Sequence, residues 1–247
     1  MKTNKFISYA IPRHRLVALL MASLFFPQQL TLAQTPERPA ARTISAPDDS
    51  SGTTATRLRT IPKDEGEQRI LEAIETARSG TRYANISDDD GRLLRQLTEA
   101  SNAQHVVELG TSTGESGLWF SLALRKTGGQ LTTYDIDAGR LAVARKNFRT
   151  AGVEELITIV EGNAHVEAPK DTRPIDLLFI DAEKEGYDAY LRELLPYVRP
   201  GGLIMAHNMR YPSPNPKYIE AITSYPNLDT SFLLMDGAGM GLTLKKR

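Results

Sequence analysis
Three acids stand where short apolar runs end: Glu108 after His105-Val-Val, Asp135 after Leu131-Thr-Thr-Tyr, and Asp181 after Asp176-Leu-Leu-Phe-Ile180. Glycines at 110, 114 and 117 follow the first acid, and Leu118, Trp119, Phe120 and Leu122 follow the glycines. That order reads as a buried strand, a tight turn and a helix entered at its N-terminus. Glycine lets such a turn adopt positive φ and lets a ligand approach the main chain. The unpaired N–H groups and dipole at the helix start suit an anionic group such as a carboxylate. Asp135, closing a second strand, is placed to accept both hydroxyls of a ribose, as acids do in nucleotide-binding α/β folds. The spacing here is Glu-x-Gly-x-x-x-Gly, not the dinucleotide fingerprint G-x-G-x-x-G. A lone Gly-rich turn is equally a structural strand-to-helix connection; Asp135 is what favours a nucleoside ligand.

These residues need a frame, and the apolar spacing supplies one. Ile70, Leu71, Ile74 and Ala77 repeat helically over 65–78, closed by Gly80. Ser87 to Asp90 reads as a capping box for a helix carrying Leu93, Leu94 and Leu97 on one face. Leu141, Ala144 and Phe148 mark a helix stopped by Gly152. Ile157 to Val160 is a third strand, leading into Glu161-Gly162-Asn163-Ala164. The run 176–181 is a fourth, apolar enough to be buried on both faces. Tyr187, Tyr190, Leu191, Leu194 and Val198 share a helical spacing and read as core. Arg199-Pro-Gly-Gly202 turns the chain into a fifth strand, Leu203 to Ala206. Phe232-Leu-Leu-Met and Leu242-Thr-Leu, flanking Asp236-Gly-Ala-Gly, read as a hairpin. The expectation is an α/β fold with a mostly parallel sheet, helices on both faces and an antiparallel C-terminal hairpin. The Pro-rich stretch 209–217 is expected on the rim of the ligand cleft.

Balanced charge, with 30 basic and 30 acidic residues, points to neither nucleic acid nor an anionic membrane surface. The absence of cysteine excludes disulfides, thiolate metal sites and thiol catalysis. Lys2, Lys5, Arg13 and Arg15 precede an apolar run from Leu16 to Phe26, with small residues near Ala33. Residues 1–33 therefore read as a secretory signal peptide, too short in its apolar part for a stable membrane span. The implied location is periplasmic or secreted; an uncleaved anchor or a misplaced start codon are the alternatives. Residues 34–64, with Pro36, Pro39, Pro47 and Pro62, read as a flexible linker, and 65–247 as the folded domain.

Taken together, these motifs resemble class I S-adenosylmethionine-dependent methyltransferases. More narrowly, the chain is similar to the cation-dependent O-methyltransferases of catechol and caffeoyl-CoA type over roughly residues 65–247. The resemblance rests on Val107-Glu-Leu-Gly-Thr-Ser-Thr-Gly-Glu-Ser116, Tyr134-Asp-Ile-Asp137, Phe179-Ile-Asp-Ala-Glu-Lys184 with Tyr187, Pro200-Gly-Gly202, and His207-Asn208. It implies a Rossmann-like methyltransferase fold, S-adenosylmethionine as cofactor and a small hydroxylated, catechol-like acceptor. Glu108, Gly110, Ser112, Gly114 and Ser116 would hold the methionine end, and Asp135 the ribose. Gly162, Asn163 and Ala164 would line the adenine side, with Ile86 above the cofactor and Asp181 beside it; a plain core contact is the alternative for Ile86. Relatives commonly pair into homodimers.

In that family an acid after the fourth strand and Asp-Asn after the fifth bind a divalent cation, and a lysine takes the acceptor proton. Asp181 matches the first ligand, Asn208 the last and Lys184 the base, while His207 stands where the family has its second aspartate. Imidazole suits zinc or manganese better than magnesium. Three alternatives follow: a different metal, a metal-free enzyme with His207 as base, or a pocket without turnover. An exported nucleoside-binding protein and another transferase on the same fold are the competing functions.

Overall fold
The computed structural model describes residues 60–79, 83, 86–211, 214–234 and 238–247. The expected signal peptide and most of the expected linker lie outside the described residues, as do Gly80 and Asp236. Among the described residues, seven strands form one sheet in the order β3-β2-β1-β4-β5-β7-β6. Strands β1 (His105–Leu109), β2 (Gln130–Asp135), β3 (Ile157–Glu161), β4 (Ile175–Ile180) and β5 (Val198–His207) pair in parallel. β6 (Leu228–Leu233) and β7 (Met240–Lys245) form the expected antiparallel ending, with β7 paired to β5. No helix among the described residues is long and apolar enough to cross a membrane.

Both faces of the sheet are covered, and β4 shows why its sequence is almost wholly apolar. Leu177 and Phe179 point to one core, Leu178 and Ile180 to the other, and none of the four is exposed. Each such side chain removed from water contributes about 1.5–3 kcal/mol. The first core is built with α1 (Glu65–Ser79), α2 (Asp88–Ala100), α3 (Glu115–Thr127) and α4 (Ala138–Ala151). The second is built with α5 (Ala164–Glu167), α6 (Tyr187–Leu194) and α7 (Pro216–Ser224).

The helix ends follow their residues. Ser87 and Asp90 cap α2 reciprocally, as the sequence implied. Gly152 ends α4 at φ 69°, a left-handed position that costs glycine little. Two differences from expectation have local causes. The expected turn over Arg199–Gly202 is a bulge inside a longer β5: pairing jumps from Val198 opposite Ile175 to Leu203 opposite Leu177, with Gly201 at φ +80°. The rim segment gives way to α7, whose Asn215 cap and Pro216 at the first helical turn form a start signal. The last residues of the expected linker are also tied down: Asp64 accepts from Glu67 N and pairs with Arg125 at 2.6 Å and Lys126 at 2.8 Å.

Candidate active site
Parallel strands place their C-terminal ends on one edge, and the order 3-2-1-4-5 reverses direction between β1 and β4. Open α/β sheets bind ligands at such a switch point. A cleft of about 720 Å³ opens there. Gly110, Ser112, Ser116 and Asp135 line one side of it, and Gly162, Asn163 and Ala164 extend that wall. Asp181, Lys184 and Asn208 line it from the ends of β4 and β5.

The first wall is built from main chain. Gly110 N and Thr111 N both donate to Tyr134 O, locking the turn after β1 onto β2. Gly110 sits at φ +100°, and a Cβ there would collide with the carbonyl oxygen of Asp181. Only glycine serves at this position, because the turn also forms the floor between β1 and β4. Ser112, at φ +47°, turns its N–H to Asp135 Oδ2 at 2.8 Å, while Asp137 N donates to Asp135 Oδ1 at 3.0 Å. One donor on each oxygen fixes the carboxylate and leaves lone pairs free for hydroxyl donors. Gly114 lies behind this wall, where a side chain would strike the Phe148 ring.

Beneath the turn, Glu108 is fully buried. It accepts from Ser116 Oγ, and from Thr133 Oγ1 at 2.6 Å; Thr133 in turn bonds Thr111 at 2.7 Å. Burial pushes this carboxyl up to about 8 against the pull of the two hydroxyl bonds, and the neighbouring Asp181 and Asp135 add to the rise. Glu108 thus fastens β1, β2 and the start of α3. It does not line the cleft directly.

The second wall is built from side chains. Asn208 Nδ2 donates to Asp181 Oδ1 at 2.9 Å from a left-handed backbone, φ +62°. Two of the three described non-glycine residues at positive φ, Ser112 and Asn208, therefore line the cleft. His207 lies just behind, 6% exposed. Its Nδ1 faces Asp181 Oδ1 at 3.3 Å and its Nε2 faces Asp90 Oδ2 at 3.2 Å. Burial alone would lower the His207 pKa, but the bonds to Asp181 and Asp90 outweigh it and raise it to about 9. Burial raises Asp181 above the usual carboxylate range; Asp90 is held below it because the His207 and Ser87 bonds outweigh its own burial.

This donor set does not fit a divalent cation. A cation site needs lone pairs converging on one point, whereas the His207 nitrogens are both committed to carboxylates and the Asn208 amide is turned to Asp181. No group of three or more acids and histidines able to hold a metal occurs among the described residues.

Several cleft residues carry no obvious signal in the sequence. Ile136, 73% exposed, lines the cleft beside Asp135. The Arg140 guanidinium lies 5.7 Å from the centre of the Tyr83 ring, and both line the cleft. His165 stacks on Tyr190 at 3.8 Å, and Tyr190 OH donates to Glu183 at 2.8 Å. Tyr190 is thus a cleft residue as well as a core one, whereas Tyr187 is core. Its signal was available: the helix that begins at Tyr187 starts only six residues after Asp181. Ile86 takes the other course, packing in the first core away from the residues that line the cleft. On the rim, Asn215 Nδ2 donates to the carbonyls of Lys184 and Glu185 at 3.0 and 3.1 Å.

Over this region the chain is similar to known proteins. A catechol O-methyltransferase of Niastella koreensis is 36% identical over 54% of this chain and 62% of its own length. A caffeoyl-CoA O-methyltransferase of Populus kitakamiensis is 33% identical over 58% of this chain and 64% of its own. The chain thus spans somewhat under two thirds of each of these curated relatives. Among solved structures, one from Klebsiella pneumoniae superposes with a TM-score of 0.63 at 30% identity, covering 76% of this chain and 92% of that one. An O-methyltransferase of Bacillus cereus, solved in complex with SAH, gives 0.62 at 24% identity over 75% and 93% of the two chains, a likeness of fold. The profile of the O-methyltransferase family matches residues 64–213, more than half of the chain and both walls of the cleft, and the chain belongs to that family.

Proposed function
We propose that this protein is an S-adenosylmethionine-dependent O-methyltransferase acting on a small hydroxylated acceptor of catechol-like kind. The observation that carries the reading is Asp135, whose carboxylate is fixed by two main-chain N–H groups at the edge of the switch-point cleft. That is the arrangement a ribose diol needs. The names of the catechol and caffeoyl-CoA relatives support a hydroxylated aromatic acceptor.

Bound S-adenosylmethionine would supply an electrophilic sulfonium methyl group. Everything else falls to the chain. The start of α3 at Ser116 offers main-chain N–H groups to a carboxylate. Ser112, Gly162, Asn163 and Ala164 continue the cofactor side of the cleft. Lys184, across from that wall, is assigned to take the acceptor proton, with Asp181 and Asn208 orienting the acceptor. Transfer to a methyl carbon asks mainly for alignment, so holding two partners in line supplies most of the rate.

The test is calorimetric titration with S-adenosylmethionine, followed by mass-spectrometric detection of methylated 3,4-dihydroxybenzoate. Lys184→Ala is expected to lose turnover at least about 100-fold while its cofactor affinity stays within about threefold. Cofactor binding without transfer to any hydroxylated aromatic would favour the binding-protein alternative. Absence of cofactor binding would sink the proposal.

A further inference from the structure
Asp90, His207 and Asp181 come from the first turn of α2, the end of β5 and the loop after β4. Each ring nitrogen of His207 faces a carboxylate oxygen, at 3.2 and 3.3 Å. Both ring nitrogens are thus spent on carboxylate oxygens of other elements. Each of the two oxygens that face the ring also takes a local donor. Asp90 Oδ2 also takes Ser87 Oγ at 2.8 Å, and Asp181 Oδ1 also takes Asn208 Nδ2 at 2.9 Å. An imidazole with both nitrogens turned to carboxylate oxygens points no lone pair at a metal beside Asp181. The corner in which cation-dependent relatives are expected to hold a metal is filled here by the His207 ring.

We propose that the Asp90–His207–Asp181 bridge replaces the divalent cation, so that this chain binds no metal at Asp181 and transfers its methyl group without one. The second half rests on the proposed methyltransferase function; the first half stands on the bridge alone. His207 is a positioning residue, acting through Asp181, which faces the cleft while the imidazole does not. In the transfer, the acceptor oxygen bonds the methyl carbon as the carbon–sulfur bond breaks. Sulfur keeps the bonding pair as a neutral thioether, and the hydroxyl proton passes to Lys184.

The experiment uses the full chain dialysed against EDTA, with metal content read by plasma mass spectrometry. Mn²⁺ and Zn²⁺ are then titrated by calorimetry and by shift of the unfolding temperature. Wild type is expected to retain no stoichiometric metal, to show no saturable binding at this site, and to transfer methyl in EDTA within about twofold of its rate in Mg²⁺. His207→Asp places a third carboxylate against the other two and is expected to bind Mn²⁺ at least about tenfold more tightly than wild type. Its unfolding temperature should then rise with metal. Stoichiometric metal binding by wild type that Asp181→Asn abolishes overturns the proposal, and does so whether or not the His207→Asp chain folds. Transfer that stops in EDTA and returns with Mg²⁺ overturns it equally. Failure to bind S-adenosylmethionine refutes the methyltransferase reading separately, and the wild-type metal titration still decides on the bridge.

Discussion

At one wall of the cleft, Asp135 is held by the main-chain N–H groups of Ser112 and Asp137, neighbours within 23 residues. At the other, Asp181 is held by the side chains of His207 and Asn208, and His207 in turn by Asp90, 117 residues away in the chain. Main-chain donors survive any substitution that keeps the backbone path, so the first wall is sensitive to conformation. Side-chain donors vanish with one codon, so the second wall is sensitive to chemistry. A family can therefore keep its cofactor end fixed while the acceptor end is retuned.

The most severe test of this contrast is His207→Leu. It leaves the buried Asp90 and the half-buried Asp181 facing each other without the ring between them, and should destabilise the fold by about 3–5 kcal/mol in chemical denaturation at pH 7. A loss below about 1 kcal/mol would mean the bridge contributes little and the second wall stands without it.

Asp135→Ala should behave differently. It removes the acceptor of two main-chain N–H groups at the open edge of the cleft, where water can take its place, so stability should change little while S-adenosylmethionine affinity falls by about 1.5–3 kcal/mol. Calorimetry and thermal unfolding on one preparation separate the two effects. Equal losses in both would make Asp135 part of the scaffold and erase the distinction.

Glu108 lies behind both walls and tests their electrostatic coupling. Its pKa is raised from 4.5 to about 8, so the folded chain holds a proton that the unfolded chain has released. The stability this confers is fully present below pH 4.5 and is lost as pH rises through about 8. Glu108→Gln should lie within about 1 kcal/mol of wild type at pH 5, and its stability should not share the wild-type decline toward pH 8. Parallel urea-denaturation profiles would show that Glu108 is already ionised at neutral pH.

The same contrast explains what could be read in advance. Gly110, Ser112 and Asp135 announce themselves because the turn and its acids are short-range and depend on residue types that few other roles require. The two-faced burial of β4 was equally plain in its unbroken apolar run. Asp90 could be seen only as a helix cap, since its bond to His207 depends on how α2 packs beside the end of β5. His207 and Asn208 were legible as positions, yet the direction in which His207 spends its nitrogens is a tertiary fact. Ile86 stayed open for a related reason: an apolar residue before a cap fits a core and a ligand contact alike, and it packs in the first core. Tyr190, read as core, also faces the cleft, because a helix this close to the edge of the sheet presents its first turn to both.

One small contact on the rim has a wider consequence. Asn215 caps α7 with its oxygen and holds the carbonyls of Lys184 and Glu185 with its amide. The segment expected at the rim and the segment that carries the proposed base are thereby hitched together. An insertion or exchange around residues 209–214 that reshapes the entrance must also drag on the lysine. Broadening of substrate range and loss of turnover should then arrive as a single evolutionary step, unless Asn215 is released first.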